Sequence, residues 1–353
     1  MSKSTLIKKI SLVVLLLLIF ILGFQPQKIN IKAEQNSNIE FLAFSTLMAF
    51  PEKALDKNNN LSSVYDETKI TINEFNNILN ELYENNCILI DIYDLIDKDS
   101  MTIKKIPTDK KPIVFIFNNV YYKNNYQNLG EIDKLIIDRN NNLASYTTKK
   151  SIQDRVQYEN EFELILEKFI KTHPDFSYNN ARGIIFLTGE NGILGYKTNH
   201  KNAGYKYESK KVTEVIKKLK NLGWKFGSNN YYSESKNTVN NLEFAKDISL
   251  WNQEVKSLIG NTNLYSFTNA ETKEDTTQKI ELLLSNGFDI FFEISNESNI
   301  VKINNYFKIK CKNINGYSLR NSNNIFKNLF DCETVYDHEN RQIEYYNNDN
   351  NLL

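Results

Sequence analysis

Residues 112–119 read PIVFIFNN: an apolar run from Pro112 to Phe117 that halts on two asparagines, Asn118 and Asn119. A short run without polar alternation, closed by turn-forming residues, is what a strand buried on both faces produces. The same signature recurs along the chain. Ile39–Leu47, Cys87–Ile92, Gly183–Leu187 (GIIFL, closing on Thr188-Gly189), Trp224–Ser228, Leu264–Phe267 and Phe288–Ile294 all read as strands. Helical periodicity fills the gaps. Thr71-Ile72-Asn73-Glu74 fits a capping box, and Phe75, Ile78, Leu79 and Leu82 follow at helical spacing. Phe162, Ile165, Leu166 and Phe169 mark a second helix. Val212–Leu222 is a lysine-rich third, stopped by Gly223. Leu242–Ile259, with Trp251 and Val255 on one face, and Thr277–Leu284 complete the set.

Strands alternating with helices predict parallel strands joined by crossovers. The expected architecture is α/β, an irregular (β/α) barrel, with a doubly wound open sheet second. Neither a GxGxxG nor a P-loop is present, which weakens a nucleotide reading. In either architecture the site lies at the C-terminal ends of the strands. That directs attention to Ser45, Thr46, Asn118, Asn119, Ser228, Asn229 and Thr268.

Composition bounds the rest. The 353 residues carry 43 Lys+Arg against 43 Asp+Glu, and 41% are hydrophobic. Such a chain buries a sizeable core, and zero net charge removes the simplest case for nucleic-acid binding. Three cysteines exclude a disulfide framework and a four-thiolate zinc site. Cys87 is expected as a buried small apolar residue, while the sequence leaves open whether Cys311 and Cys332 pair. Three scattered histidines argue against an all-histidine metal site. His173, before Pro174, is expected to play a structural part at a helix end, His200 to lie on the surface and His338 to be inert in a polar tail. Asparagine is over-represented, with lysine and isoleucine, the bias an AT-rich coding sequence produces.

The N-terminus sets an expected compartment. Lys3, Lys8 and Lys9 precede an apolar run from Ile10 to Phe24. At about 15 residues it suits a signal h-region better than a spanning helix of about 20. Residues 1–24 are therefore expected to be a signal peptide or an uncleaved N-terminal anchor, 25–37 a linker, 38–340 one domain, and 341–353 a polar tail. Membrane contact is expected only through an uncleaved leader. The expected location is secreted or cell-surface.

Several pieces, in one order, carry a family resemblance. They are Phe44-Ser45-Thr46-Leu47, the Thr71–Tyr83 segment, and Lys111–Phe115 leading to Asn118-Asn119-Val120-Tyr121-Tyr122. Further along come His173-Pro174-Asp175-Phe176-Ser177-Tyr178, Gly192–Thr198, Leu222–Ser228, Gly316-Tyr317 and Leu329–Asp337. Over about residues 40–340 the chain resembles the polysaccharide deacetylases (NodB homology, carbohydrate esterase family 4), in a clostridial-type exported branch. The resemblance implies a deacetylase-type barrel. It also implies a divalent metal, such as zinc, held by one aspartate and two histidines beside an aspartate general base, hydrolysing the C–N bond of N-acetylated polysaccharide.

Matched position by position, none of those groups stands here. Asn118 occupies the base position. Asn119 occupies the metal-ligand aspartate, Asn229 and Ser233 the two histidines, and Ser45 an upstream histidine. An amide has no useful basicity near neutral pH, and zinc favours Cys, His and carboxylate. The expectation is a pseudoenzyme with no metal or other cofactor. What remains suits a neutral glycan: the amides Asn118, Asn119, Asn229 and Asn230 with Ser45, beside Tyr121, Tyr122, Tyr231 and Tyr232. The expected partner is a cell-envelope polysaccharide or peptidoglycan. Two alternatives stay open. One is an exported scaffold or protein-interaction barrel. The other is an active deacetylase with a non-standard site, which requires groups such as Glu190, Glu234 and His200 to converge, with Asp175 also near the site loops.

Overall fold

The computed structural model describes residues 39–97, 99–122, 130–232, 240–267 and 276–341. The expected leader and linker, Ser233, Glu234, Thr268 and residues 342–353 lie outside them.

The anticipated strands form. They are β1 (Glu40–Phe44), β2 (Cys87–Leu89), β3 (Lys111–Phe117), β4 (Ile184–Leu187), β5 (Lys225–Ser228), β6 (Leu264–Ser266) and β7 (Ile290–Ser295). Two more follow as a hairpin, β8 (Asn299–Ile303) and β9 (Tyr306–Asn313). Parallel pairing runs β1-β9-β7-β6-β5-β4-β3 and returns from β3 to β1, so seven strands close a barrel. Closure leaves the barrel proper without a free edge. β2 pairs with Lys111–Ile113 of β3, and β4 with Ile116–Phe117 farther along the same edge. β2 therefore fills the lower wedge between β3 and β4, which is the irregularity of this barrel.

Helices α1 (Ile72–Glu84), α2 (Phe162–Thr172), α3 (Tyr205–Leu222), α4 (Asn241–Trp251) and α5 (Thr276–Ser285) connect the strands. The capping box at α1 is present in both arms: Glu74 N–H donates to Thr71 Oγ1 at 3.1 Å, and Thr71 N–H donates to Glu74 Oε2 at 2.8 Å. Gly223 ends α3 at φ 108°, the left-handed conformation that glycine adopts most cheaply. After Trp251 the helix widens into a π turn, Asn252–Lys256. Among the described residues no helix is long and apolar enough to cross a membrane.

Two cores follow from the period-two alternation of the strands. Phe41, Ala43, Val114, Ile116, Phe186, Leu264, Phe292 and Ile309 pack together inside the barrel. Leu42, Phe44, Phe115, Phe117, Leu187 and Phe291 pack outward against the helices. Phe186 and Phe292 meet with ring centroids 5.2 Å apart. Gly227 lets Phe186 lie flat on β5, because a Cβ there would fall 2.3 Å from its ring.

β9 is covered differently. Phe307, Ile309 and Cys311 face the inner core. The lysines between them pair laterally instead: Lys308 with Glu293 at 2.8 Å, Lys310 with Glu297 at 2.5 Å and Lys312 with Glu40 at 2.8 Å. This alternation of apolar and basic residues hid the strand from a search for continuous apolar runs. A second sheet was also missed, the antiparallel Lys134–Ile137, Leu143–Tyr146 and Val156–Gln157, whose strands are four residues or fewer.

All three cysteines are free and buried. Cys311 lies in the inner core and Cys332 in the outer one, so the pairing left open by the sequence is not made. The last described residues are tied into the fold. Asp337 and Arg341 are buried, and Arg341 reaches Glu74 Oε1 and Asp66 Oδ1 at 2.6 Å each.

Candidate functional site

The alternation that turns Ala43, Ile116, Phe186 and Leu264 inward continues to the strand ends and beyond. Two residues on, it reaches Ser45, Asn118, Thr188 and Ser266. Ser228 is in register with Leu187 on one side and Tyr265 on the other, so Asn229 stands in one row with Thr188 and Ser266. A layer of small polar residues therefore sits on the aromatic plug of Phe186 and Phe292, at the C-terminal mouth of the barrel.

The amides are tied to one another through backbone. Asn229 is fully buried; its Nδ2 donates to the Ser266 carbonyl at 2.8 Å, and its Oδ1 accepts from the Asn119 N–H at 2.6 Å. Asn118 donates its own N–H to the Phe44 carbonyl at 2.8 Å. Asn119 and Asn230 take φ of 53° and 67°, a region asparagine tolerates better than most residues. The Tyr265 hydroxyl donates to Asn230 Oδ1. Four buried side-chain oxygens at this mouth have no hydrogen-bond partner: Asn118 Oδ1, Asn119 Oδ1, Thr188 Oγ1 and Ser266 Oγ. Buried polar atoms are normally paired, so this concentration marks where a hydrogen-bonding ligand or ordered water would be received. Thr188 and Ser266 were not singled out as candidates, although counting by two from GIIFL and from Leu264 reaches both.

The tyrosines divide. Tyr121 and Tyr232 are half-buried near the mouth. Tyr122 and Tyr231, expected among the glycan contacts, are core residues instead. The Tyr122 hydroxyl donates to Glu163 at 3.4 Å, and the Tyr231 hydroxyl donates to Glu254 Oε2 at 2.6 Å. Asp247, on α4, holds the loop after β5 by accepting from the Tyr231 and Tyr232 N–H groups at 2.7 and 3.1 Å. Ser45 is half-buried, and its hydroxyl donates to the Thr68 carbonyl at 3.2 Å.

Of the carboxylates named from sequence, Glu234 lies outside the described residues, and Glu190 follows β4, its N–H donating to the Tyr231 carbonyl at 2.9 Å. Asp175 pairs with Lys110 at 2.7 Å, just ahead of β3 and so at the opposite end of the barrel. His200 faces Glu254 at 3.6 Å. His173 caps α2, its Nδ1 lying 3.1 Å from the Phe169 carbonyl and its ring stacked on Phe169 at 4.3 Å. His338 is exposed and pairs with Glu333.

A buried acidic group lies behind the loop after β1. Thr46 donates to Glu131, which also pairs with Lys69 at 2.5 Å. Glu161 Oε1 accepts from the Leu47 and Phe162 N–H groups at 3.0 Å each, and Glu163 lies on the same turn of α2. Burial outweighs those two donors, and nearby Glu131 adds to it, pushing the Glu161 carboxyl up to about 8. Burial and the neighbouring Glu161 raise Glu163 well above the ordinary carboxylate range.

The metal implied by the resemblance does not fit these residues. Asn229 has both polar atoms committed to backbone, and Asn118 and Asn119 bring no charge. Among the described residues no group of three or more His, Cys, Asp or Glu side chains is placed to hold a metal ion.

No family model matches the chain, and no curated protein matches it. Two solved structures are similar. The Streptococcus pyogenes deacetylase PplD, in complex with acetate, is 9% identical over 81% of this chain and 94% of that one, with a TM-score of 0.44. A Mycobacterium smegmatis chain described as a polysaccharide deacetylase is 15% identical over 40% of this chain and 42% of that one, with a TM-score of 0.26.

Proposed function

We propose that this chain is an exported, deacetylase-like barrel that has lost the family's metal chemistry and holds a neutral glycan of the cell envelope at its mouth without cleaving it. One observation carries the reading. Asn229, at the position of a metal-binding histidine, spends its amide on the Asn119 N–H and the Ser266 carbonyl. The position has become a brace between strands rather than a ligand. With Asn118 at the base position, no group there takes a proton from water near neutral pH.

The four unpartnered oxygens supply what a hydroxyl-rich ligand requires: acceptors for its donors, and two hydroxyls that also donate. Export rests on the basic N-terminus and the short apolar run Ile10–Phe24.

The test is acetate release from an N-acetylated oligosaccharide such as chitopentaose, with and without added zinc or cobalt, alongside binding to a panel of neutral envelope glycans. The expected result is binding without release, weakened by Asn118→Ala. Metal-stimulated acetate release would overturn the reading.

A further inference from the structure

We infer that a second saccharide subsite lies beside the mouth, in a cavity of about 450 Å³ between the loop after β1, the start of α1 and the segment leading into α2. These segments follow the C-terminal end of β1 or lead into helices that descend from the mouth, so the cavity opens on the same face of the barrel. Its volume lies within the roughly 300–1,000 Å³ typical of small-molecule sites.

The feature that points to a ligand is Asn160. It lines the cavity, is 95% buried, and its Oδ1 accepts from the Ser145 hydroxyl at 2.6 Å, yet its Nδ2 has no partner. A buried unpaired donor costs about 1–3 kcal/mol. Rotating the amide does not remove the problem. Nδ2 would then donate to Ser145 Oγ, whose own proton has the Gln157 carbonyl within reach at 3.4 Å, and Oδ1 would become the unpaired atom. A sugar hydroxyl donates and accepts, so it satisfies Asn160 in either orientation; a carbonyl satisfies only one.

The rest of the cavity favours an uncharged ligand. Lys150 is neutralised by Glu52 at 3.6 Å, and Glu159 by Lys168 at 2.6 Å. Asn73 and Asn340 both donate from Nδ2 to Asp337, which leaves their Oδ1 atoms as acceptors. Pro51 and Ile72 supply apolar surface for the C–H face of a ring. The ligand class is a neutral oligosaccharide. The inference stands on this cavity alone and does not depend on what the mouth binds.

The test is titration of the full chain with cellopentaose, chitopentaose and laminaripentaose, read by calorimetry and by the Asn160 side-chain amide resonances. One of the three is expected to bind and to shift those resonances. Asn160→Asp, which keeps the acceptor for Ser145 and removes the donor, should weaken binding at least tenfold. Asn73→Ala, on an exposed residue whose loss does not threaten folding, should weaken it about threefold. Loss of binding in both variants while Asn118→Ala still binds places the sugar in this cavity and removes the mouth reading. No binding by any of the three sugars, or binding that Asn118→Ala abolishes and both cavity variants retain, would overturn the inference.

Discussion

The Asn119 N–H donates to Asn229 Oδ1 across 2.6 Å, joining the end of β3 to the end of β5 over the intervening β4. A histidine at 229 has one acceptor nitrogen, which a metal ion would occupy, so it could not also accept from the Asn119 N–H. The brace and a metal ligand are therefore exclusive uses of one position. Asn229→Ala leaves the Asn119 N–H and the Ser266 carbonyl without that partner in a fully buried setting. The expected loss is about 1–3 kcal/mol for each group left unpaired, read as a fall in the denaturant midpoint. An unchanged midpoint would show that water replaces the amide at no cost.

Arg341 closes the fold from the C-terminal side. Its guanidinium is fully buried and bonds Glu74, Asp66 and the Lys69 carbonyl. Glu74 is also the second arm of the α1 capping box, so one carboxylate serves the helix start and Arg341. Arg341→Ala should cost roughly 3–5 kcal/mol, because Glu74 is left buried without its cation, while Asp66 keeps only Arg320 at 2.8 Å. His338→Ala, three residues earlier and exposed, should cost almost nothing. Equal stability of the two variants in urea would contradict the clamp.

The buried carboxyls behind β1 predict a pH dependence of definite sign. The folded value of Glu161, about 8, lies above its ordinary 4.5. The folded state therefore holds a proton that the unfolded chain releases. The stability this proton supplies is complete below about pH 4.5 and is lost as pH rises through 8. Glu161→Gln keeps an acceptor for the Leu47 and Phe162 N–H groups and removes the titration. Thermal melts from pH 5 to 9 should show a falling midpoint in the parent. The variant should be flatter by up to about 1.4 kcal/mol per pH unit. Glu163, Glu131 and Lys69 remain in the variant, so some slope persists. A parent midpoint that rises across this range would contradict the assignment.

Most of the barrel was readable because buried parallel strands leave continuous apolar runs. PIVFIFNN gave β3 and its exit, and Thr71 with Glu74 gave the start of α1 with both arms of its cap. β9 escaped because its sequence, YFKIKCKN, alternates. Between its apolar residues, lysines paired to Glu293, Glu297 and Glu40 take the place of apolar packing. At the site, sequence located the asparagines but not their use. Spacing does not reveal that Asn229 bonds backbone on two other strands, or that Tyr122 turns into the acidic core. The place of Arg341 is hidden for a related reason. Arg341 sits in a polar stretch, and only the distant carboxylates of Asp66 and Glu74 explain its burial.

Whether the mouth holds a metal is decided by elemental analysis of the purified protein. Zinc and cobalt would be measured after incubation and washing, beside a variant carrying Asn118→Asp, Asn119→Asp, Asn229→His and Ser233→His. The account predicts substoichiometric, easily washed metal in the parent and a sharp gain in zinc affinity in the variant. One tightly held ion per parent chain would contradict it, and would mean that groups other than the replaced ligands bind the metal.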